Sequence, residues 1–232
     1  MIEILKNFLK RILYFLNWDK WMNLSWSQEG EDLILNRIFG SKKNGFYIDV
    51  GSHHPKRFSN TYFFYQRGWS GINIDAMPGS KIIFDKTRPR DINIELGVGK
   101  KKDQLTYYIF NEPALNGFSK DLSKIRDDDD NNNYKIISEI DVKVMPLGDI
   151  LEKYLTNDIC IDFLSVDVEG LDFEVLKSNN WLKYKPNIIL IEALESNLHE
   201  IYKSELLNYM DELEYILFAK TVNTCIFKRK KI

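Results

Sequence analysis

Polar residues that could do chemistry stand directly after three apolar segments of the sequence. Asp49-Val50-Gly51 ends the first, Asp75 ends the second, and Asp167-Val168-Glu169 ends the third. A glycine in the turn after a strand lets the backbone approach a ligand closely, and the next helix offers free N–H groups to an anion. Asp75 follows Gly51 by 24 residues, a spacing that suits binding the ribose hydroxyls of an adenosine-containing cofactor. The structural alternatives are an ordinary turn glycine and a helix-capping Asp75.

Asp167 and Glu169 have the spacing that puts two side chains on one face of a strand, because side chains alternate with a period of two. Two buried carboxylates side by side are costly unless they meet protons, a cation or a substrate. The pair is therefore a candidate for proton transfer or for binding a divalent cation. The structural alternative is that Glu169 or Asp172 caps the following helix.

Short apolar segments alternate with helical ones from Gly45 onward, which predicts an α/β protein with a mostly parallel sheet and helices on both faces. The predicted strands are 46–50, 71–75, 92–96, 105–110, 142–144, 161–166, 188–191, 215–219 and 224–228. The predicted helices are 59–67, 81–86, 147–154, 171–177 and 201–210. The last two strands flank a polar turn, so the final strand runs antiparallel to its neighbour.

Residues 111–134 interrupt this alternation with Glu112-Pro113, Asn116-Gly117 and a run of aspartates and asparagines at 127–133. Such sequences favour turns and solvated loops. We therefore predict a surface excursion with a mobile tip.

The composition excludes several classes of protein. The chain has 232 residues, 44% of them hydrophobic, which is enough for one domain with its own core, and its net charge of −2 lacks the basic excess that nucleic-acid binding requires. Cys160 and Cys225 are too few for a disulfide framework or a cysteine zinc site and fit small core residues in a reducing cytoplasm. The sequence also lacks a phosphate-binding GxxxxGK[ST] loop, a metalloprotease HExxH and a GxSxG nucleophile elbow.

Residues 1–26 read as an N-terminal helical extension before a main domain at 27–232. Apolar residues recur at helical spacing from Ile2 to Leu16, while Lys6, Lys10 and Arg11 interrupt the apolar run. This pattern predicts an amphipathic helix that docks on the domain or on a second subunit, or that attaches residues 1–24 to a membrane surface.

Several motifs together resemble those of FkbM-type S-adenosylmethionine-dependent methyltransferases. The similar segments are Ser27–Asp32, Gly45–Pro55, Arg57–Tyr62, Gly71–Asp75 and Phe163–Asp172. The resemblance, from about Ser27 to Glu195, implies a Rossmann-like class I methyltransferase fold, with a seven-stranded sheet of order 3-2-1-4-5-7-6 and an antiparallel last strand. Many class I methyltransferases carry a second glycine two places after the first, and this sequence has His53 there.

The resemblance implies O-methylation of a sugar, glycan or secondary metabolite, with S-adenosylmethionine as cofactor. The cofactor-binding candidates are Gln28, Asp49, Gly51, Ser52, Asn60, Thr61, Asp75 and Ala76. The catalytic candidates are His53, His54, Asp167 and Glu169, with Glu192 and Glu195 as the next choices. Asp167 and Glu169 are also the candidate ligands if a divalent cation lowers the pKa of the acceptor hydroxyl.

Two interpretations from other classes stay open. A nicotinamide-dependent Rossmann oxidoreductase would share the glycine turn and the strand-end aspartate, although it usually shows G-x-G-x-x-G, which Gly51-Ser52-His53-His54 does not provide. A non-catalytic S-adenosylmethionine-binding module would be expected to lose its strand-end carboxylates. As partners we expect a small-molecule or glycan acceptor and no nucleic acid, and we expect a cytoplasmic location; a homo-oligomer and peripheral contact with the inner membrane surface stay open.

Overall fold

Strands and helices alternate along most of the chain. The structure is a computed structural model and describes residues 2–15, 21–155, 159–194 and 197–230. The strands are β1 (Phe46–Val50), β2 (Ser70–Asp75), β3 (Ile92–Glu95), β4 (Gly97–Val98), β5 (Asp103–Phe110), β6 (Ile136–Met145), β7 (Phe163–Val166), β8 (Ile188–Glu192), β9 (Tyr215–Lys220) and β10 (Thr224–Arg229). The α-helices are α1 (Ile2–Phe15), α2 (Glu31–Phe39), α3 (Tyr62–Gln66), α4 (Ser80–Thr87), α5 (Lys120–Asp128), α6 (Leu147–Tyr154), α7 (Asp172–Lys177), α8 (Leu198–Ile201) and α9 (Glu205–Glu212).

The main sheet has seven strands in the order β3-β2-β1-β7-β8-β10-β9. Strands β3, β2, β1, β7 and β8 pair in parallel, and β10 is antiparallel to both β8 and β9. The predicted order and the predicted antiparallel last strand are confirmed. This order places the carboxyl ends of β1, β2 and β7 next to one another, at the edge where ligands bind in open α/β sheets.

Both faces of the main sheet are covered by helices, as predicted. Ile48, Val50 and Leu164 belong to one hydrophobic cluster, which includes residues of α6, α7 and α9. Tyr47 and Phe163 belong to a second cluster with residues of α2 and α3. The two sets alternate along the same strands, so they lie on opposite faces.

The predicted surface excursion carries structure of its own. Strands β5 and β6 pair antiparallel on either side of it, in a small sheet of order β4-β6-β5. Within it lie a 3-10 helix at Pro113–Leu115 and the helix α5, whose N-terminus is capped by the Ser119 hydroxyl accepting from the N–H of Leu122. The sequence predicted a surface excursion here but neither of these two helices, because residues typical of turns and solvated loops dominate its composition.

Two smaller expectations also need correction. The predicted helix at 201–210 is split into α8 and α9, because Ser204 caps α9 by accepting from the N–H of Leu207. Cys225 is buried as expected, whereas Cys160 is exposed, since it precedes the first residue of β7.

The predicted amphipathic helix near the start of the chain is present as α1. Its described side chains include the exposed Leu5, Phe8 and Leu9, and residues 16–20 lie outside the described residues. Trp26, at the end of the predicted extension, already packs on the main domain with its ring centroid 5.5 Å from that of Tyr62. In the part of the chain that the structure describes, no helix combines the length and apolarity needed to cross a membrane.

Arg88, at the end of α4, is fully buried beneath the turn that follows β1. All five of its N–H groups donate hydrogen bonds, and the acceptors are the carbonyl oxygen of Pro55 (2.9 and 2.7 Å), Ser59 Oγ (2.7 Å), Thr61 Oγ1 (2.7 Å) and Asn73 Oδ1 (3.1 Å). Asp91 lies 3.8 Å away as a buried counter-ion. Arg88 thus fixes the path of residues 55–61 between β1 and α3.

We predict that Arg88→Met lowers the free energy of unfolding by about 3–5 kcal/mol, because it leaves Asp91 and several polar groups buried without their cation. Urea titration followed by circular dichroism measures this change. Arg37→Met, on the exposed side of α2, is the matched control and should change stability by less than about 0.5 kcal/mol. Equal effects of the two substitutions would contradict the role given to Arg88.

Candidate functional site

A cavity of about 660 Å³ opens at the carboxyl ends of β1, β2 and β7. The small sheet and the excursion form its opposite wall through Tyr107, Asn116 and Phe118. Of the residues singled out from the sequence, it is lined by Gln28, Gly51, His53, His54, Asp75, Ala76, Asp167, Glu169 and Glu192. The structure therefore brings together most of the predicted site. Glu195 lies outside the described residues.

Glycine is required at position 51 because the turn after β1 packs closely against the residues at the ends of β7 and β2. Its φ of 77° is in the left-handed region, and a Cβ there would overlap the carbonyl oxygen of Asp167. Its N–H donates to the carbonyl oxygen of Ile74 at 2.9 Å. The turn after β1 is thus wedged between the ends of β7 and β2, and close approach to a ligand stays a prediction.

Asp75 lies at the end of β2, and each oxygen of its carboxylate accepts one hydrogen bond from the backbone. Oδ2 accepts from the N–H of His53 at 2.7 Å, and Oδ1 accepts from the N–H of Met77 at 2.8 Å. Burial raises the pKa of Asp75 to about 6, although these two N–H groups oppose the rise. A carboxylate has about four lone-pair sites, so each oxygen can accept a further hydrogen bond from a ligand in the cavity.

Four predicted cofactor-binding residues do not line this cavity, although one of them, Asn60, lines a small pocket beside it. The Thr61 hydroxyl donates to Asp49 Oδ2 at 2.7 Å while it accepts from Arg88. Asn60 donates to Ser165 Oγ at 3.1 Å, and the buried Ser52 donates to the carbonyl oxygen of Ile74 at 3.4 Å. Asp49, Ser52, Asn60 and Thr61 hold the turn in place, and direct contact of these residues with a ligand stays a prediction.

Asp167, Glu169 and Glu192 form an acidic cluster, with one carboxylate oxygen from each within 4.8 Å of the others. The expected reason for the convergence of Asp167 and Glu169 was wrong. Strand β7 ends at Val166, and Glu169 has a φ of 56°, so a tight turn rather than strand alternation directs its side chain. Asp172 holds that turn by accepting from the N–H groups of Val168 and Gly170.

The three carboxyl groups of the acidic cluster have raised pKa values, because removal from solvent and mutual repulsion both disfavour their charged forms. Burial raises the pKa of Asp167 well above its usual range, and the neighbouring Glu169 raises it further. Burial, followed by the charge of Asp167, raises the pKa of Glu192 to about 11. Glu192 Oε2 is buried and has no hydrogen-bond partner among the described residues.

Arg126, from α5, reaches the acidic cluster and pairs with Glu169 at 2.6 Å. The spacing of the three carboxylates would also suit a divalent cation, whose preferred ligands are oxygens. The guanidinium already supplies a positive charge to Glu169, which lowers the need for a metal at that carboxylate. The excursion thus contributes to the site. The sequence did not point to Arg126, because it lies in a segment predicted to be a surface excursion with a mobile tip.

His53 and His54 line the cavity in different ways. Burial, assisted by Arg57 and His54, lowers the pKa of His53 to about 4, so its ring is neutral at pH 7 and a weak base. His54 Nδ1 accepts from the N–H groups of Lys56 and Arg57 at 3.1 and 2.9 Å. One nitrogen of His54 is therefore engaged in stabilising the turn.

A second ion pair links the turn after β1 to the excursion. Arg57 and Glu112, both of which line the cavity, form a bidentate pair with distances of 2.8 and 3.0 Å. Together with Arg126 and Glu169, this pair fixes the excursion over the cavity. Bidentate geometry of this kind is the stronger form of an arginine–carboxylate contact.

Comparison with known proteins gives one family and one fold. Residues 49–217 match the methyltransferase FkbM domain family. A solved structure, the methyltransferase FkbM from Methylobacillus flagellatus KT, aligns with a TM-score of 0.51 and 13% sequence identity, covering 87% of this chain and 48% of that one. The present chain therefore spans about half the length of that protein. A search of curated proteins gives no match.

We predict that Gly51→Ala destabilises the protein more than Gly30→Ala does. Both glycines have a left-handed φ, and nothing lies within 4 Å of a Cβ at Gly30, so Gly30→Ala should cost only the conformational strain of about 1–2 kcal/mol. Gly51→Ala must also displace the backbone of Asp167, at a further cost of about 1–3 kcal/mol. Urea titration measures the free energy of unfolding of both variants. Equal losses of stability would show that the turn after β1 does not pack tightly against the end of β7.

Proposed function

We propose a function from the family to which the chain belongs, the FkbM methyltransferases, whose domain matches residues 49–217 of the 232-residue chain. The proposed reaction transfers a methyl group from S-adenosylmethionine to a hydroxyl group of a sugar, glycan or secondary metabolite. The observation that carries this proposal is the cavity at the ends of β1, β2 and β7. That cavity combines Asp75 with an acidic cluster that can handle a proton.

The residues of the cavity fit the chemical parts of S-adenosylmethionine. Asp75 has free lone pairs for ribose hydroxyls, and Ile83, Leu96 and Phe118 supply an apolar wall for an adenine ring. The acidic cluster suits the positive charge of a sulfonium. When bound, this cofactor supplies an activated methyl group, so the protein has to align an acceptor oxygen and receive its proton.

The acidic cluster is the better candidate for receiving that proton. His53, with its pKa of about 4, would hold a proton poorly at neutral pH. A carboxylate in the cluster has a raised pKa, and the arrival of a cationic donor would favour its ionised form. We assign the proton acceptor to Asp167, next to Gly51, with Glu169 and Glu192 setting the charge around it.

We predict that Asp75→Ala weakens S-adenosylmethionine binding by about 1.5–3 kcal/mol, the value of a hydrogen bond to a charged group. Isothermal titration calorimetry measures the change. Glu95→Ala is the matched control, because Glu95 ends the neighbouring strand β3 and bonds the N–H of Gly79, yet is absent from the lining of the cavity. The affinity of the Glu95→Ala variant for S-adenosylmethionine should stay within about two-fold of that of the unsubstituted protein.

The same titration separates the competing functions. Binding of NAD with no binding of S-adenosylmethionine would favour the oxidoreductase. Binding of S-adenosylmethionine without transfer of a radiolabelled methyl group to any acceptor in a panel of glycans and hydroxylated metabolites would favour the non-catalytic module. Transfer of the methyl group to a hydroxyl would support the proposal, provided that Asp167→Asn reduces the rate about 10²–10⁴-fold and that a chelator leaves the rate unchanged.

We also predict that binding of S-adenosylmethionine releases protons at neutral pH. A cation beside carboxyl groups of raised pKa stabilises their ionised form, so protons leave as it binds. S-adenosylhomocysteine lacks the sulfonium charge and should release fewer. Calorimetry in buffers of different ionisation enthalpy counts the protons.

Glu192→Gln should reduce the proton release, whereas Glu212→Gln, on the exposed part of α9, should not change it. Identical proton counts for the two ligands would show that the acidic cluster does not face the charged part of the cofactor.

A further inference from the structure

The helix α1 leaves apolar side chains uncovered. Leu5, Phe8 and Leu9 are 60%, 59% and 50% exposed, values at which a side chain contacts little of the protein. A helix of 14 residues is marginally stable in water on its own and normally depends on burial of its apolar face. The apolar side chains of α1 that the structure describes are therefore available to another surface.

The pattern of α1 indicates the kind of surface that covers it. At 100° per residue, the apolar positions 2, 4, 5, 8, 9, 12, 13 and 15 span about half of the helix circumference. The narrower seam of a coiled coil uses two positions in seven. Such a broad face suits a continuous apolar phase better than the narrow contact with one other helix.

The charges of α1 point to the same partner. The helix contains Lys6, Lys10 and Arg11 against the single acidic residue Glu3, a net charge of +2 in a chain whose net charge is −2. On the helical wheel, Lys6 and Arg11 border the apolar face on opposite sides. Basic side chains in those positions can place their alkyl stems along an apolar phase and reach anionic headgroups.

We propose that α1 lies in the surface of a membrane containing anionic lipid, with Leu5, Phe8 and Leu9 in the apolar layer and Lys6 and Arg11 at the phosphates. A second apolar group, Trp21, Met22 and Leu24, follows in the sequence and is also exposed, Trp21 at 78%. Tryptophan is enriched at membrane–water interfaces. The cavity described above would then act close to a lipid surface, whatever reaction it catalyses.

Vesicle sedimentation with the full chain tests this proposal. The probes are vesicles of phosphatidylcholine alone and of phosphatidylcholine mixed with phosphatidylglycerol. We expect binding to the mixed vesicles that weakens as salt is added. Leu5→Glu/Leu9→Glu should reduce the partition coefficient about ten-fold or more, and Lys6→Glu/Arg11→Glu should reduce it by a similar factor.

The matched control is Ile137→Glu/Leu182→Glu, which changes two exposed apolar residues outside α1, Leu182 being 94% exposed. It should bind vesicles as the unsubstituted protein does. No sedimentation with mixed vesicles, or equal loss in all three variants, would overturn the proposal. A dimer in light scattering that Leu5→Glu/Leu9→Glu converts to monomer, without vesicle binding, would show that a second copy covers the helix instead.

Discussion

The rest of the site depends on the hydrogen bonds made by the fully buried guanidinium of Arg88. Arg88 directly follows α4, and its five hydrogen bonds end on Pro55, Ser59, Thr61 and Asn73, so it joins the turn after β1 to β2. A buried cation is costly unless each donor and the charge are satisfied. The hydrogen bonds of Arg88 therefore fix the backbone conformation of residues 55–61, and this conformation determines the positions of His53, His54 and Arg57 at the cavity.

A second constraint fixes the opposite side of the same turn. Gly51 passes so close to the carbonyl oxygen of Asp167 that no side chain fits between them, and the N–H of His53 is held by Asp75. The end of β1 is thus joined to that of β7 by close backbone packing and to that of β2 by the Asp75 carboxylate. Such rigidity suits the proposed methyl transfer, in which donor and acceptor must be aligned, because misplacement by about 1 Å can cost about 10²-fold in rate.

The electrostatics of the cavity follow from an imbalance between acids and bases. Asp167, Glu169 and Glu192 converge, and Arg126 pairs with Glu169. Burial and mutual repulsion raise the pKa of the carboxyl groups of Asp167 and Glu192, because both disfavour the charged form. A cationic ligand would relieve this repulsion. Arg126 comes from α5 in the excursion, so the segment between β5 and β6 takes part in the charge balance of a site formed mainly by the parallel strands.

The sequence by itself determined the alternation of strands and helices and the strand ends that line the cavity, because apolar periodicity and the position after each strand are local properties. The order of the main sheet followed from the resemblance of its motifs to those of FkbM-type methyltransferases. The sequence also singled out Gly51, Asp75, Asp167 and Glu169, which line that cavity, while their roles stay predictions. Only the tertiary structure decided that Asp49 and Thr61 belong to the Arg88 network and that α5 brings Arg126 to Glu169. Those contacts join residues 12 to 43 positions apart, and a hydrogen bond across such distances depends on how elements pack, which no local pattern records.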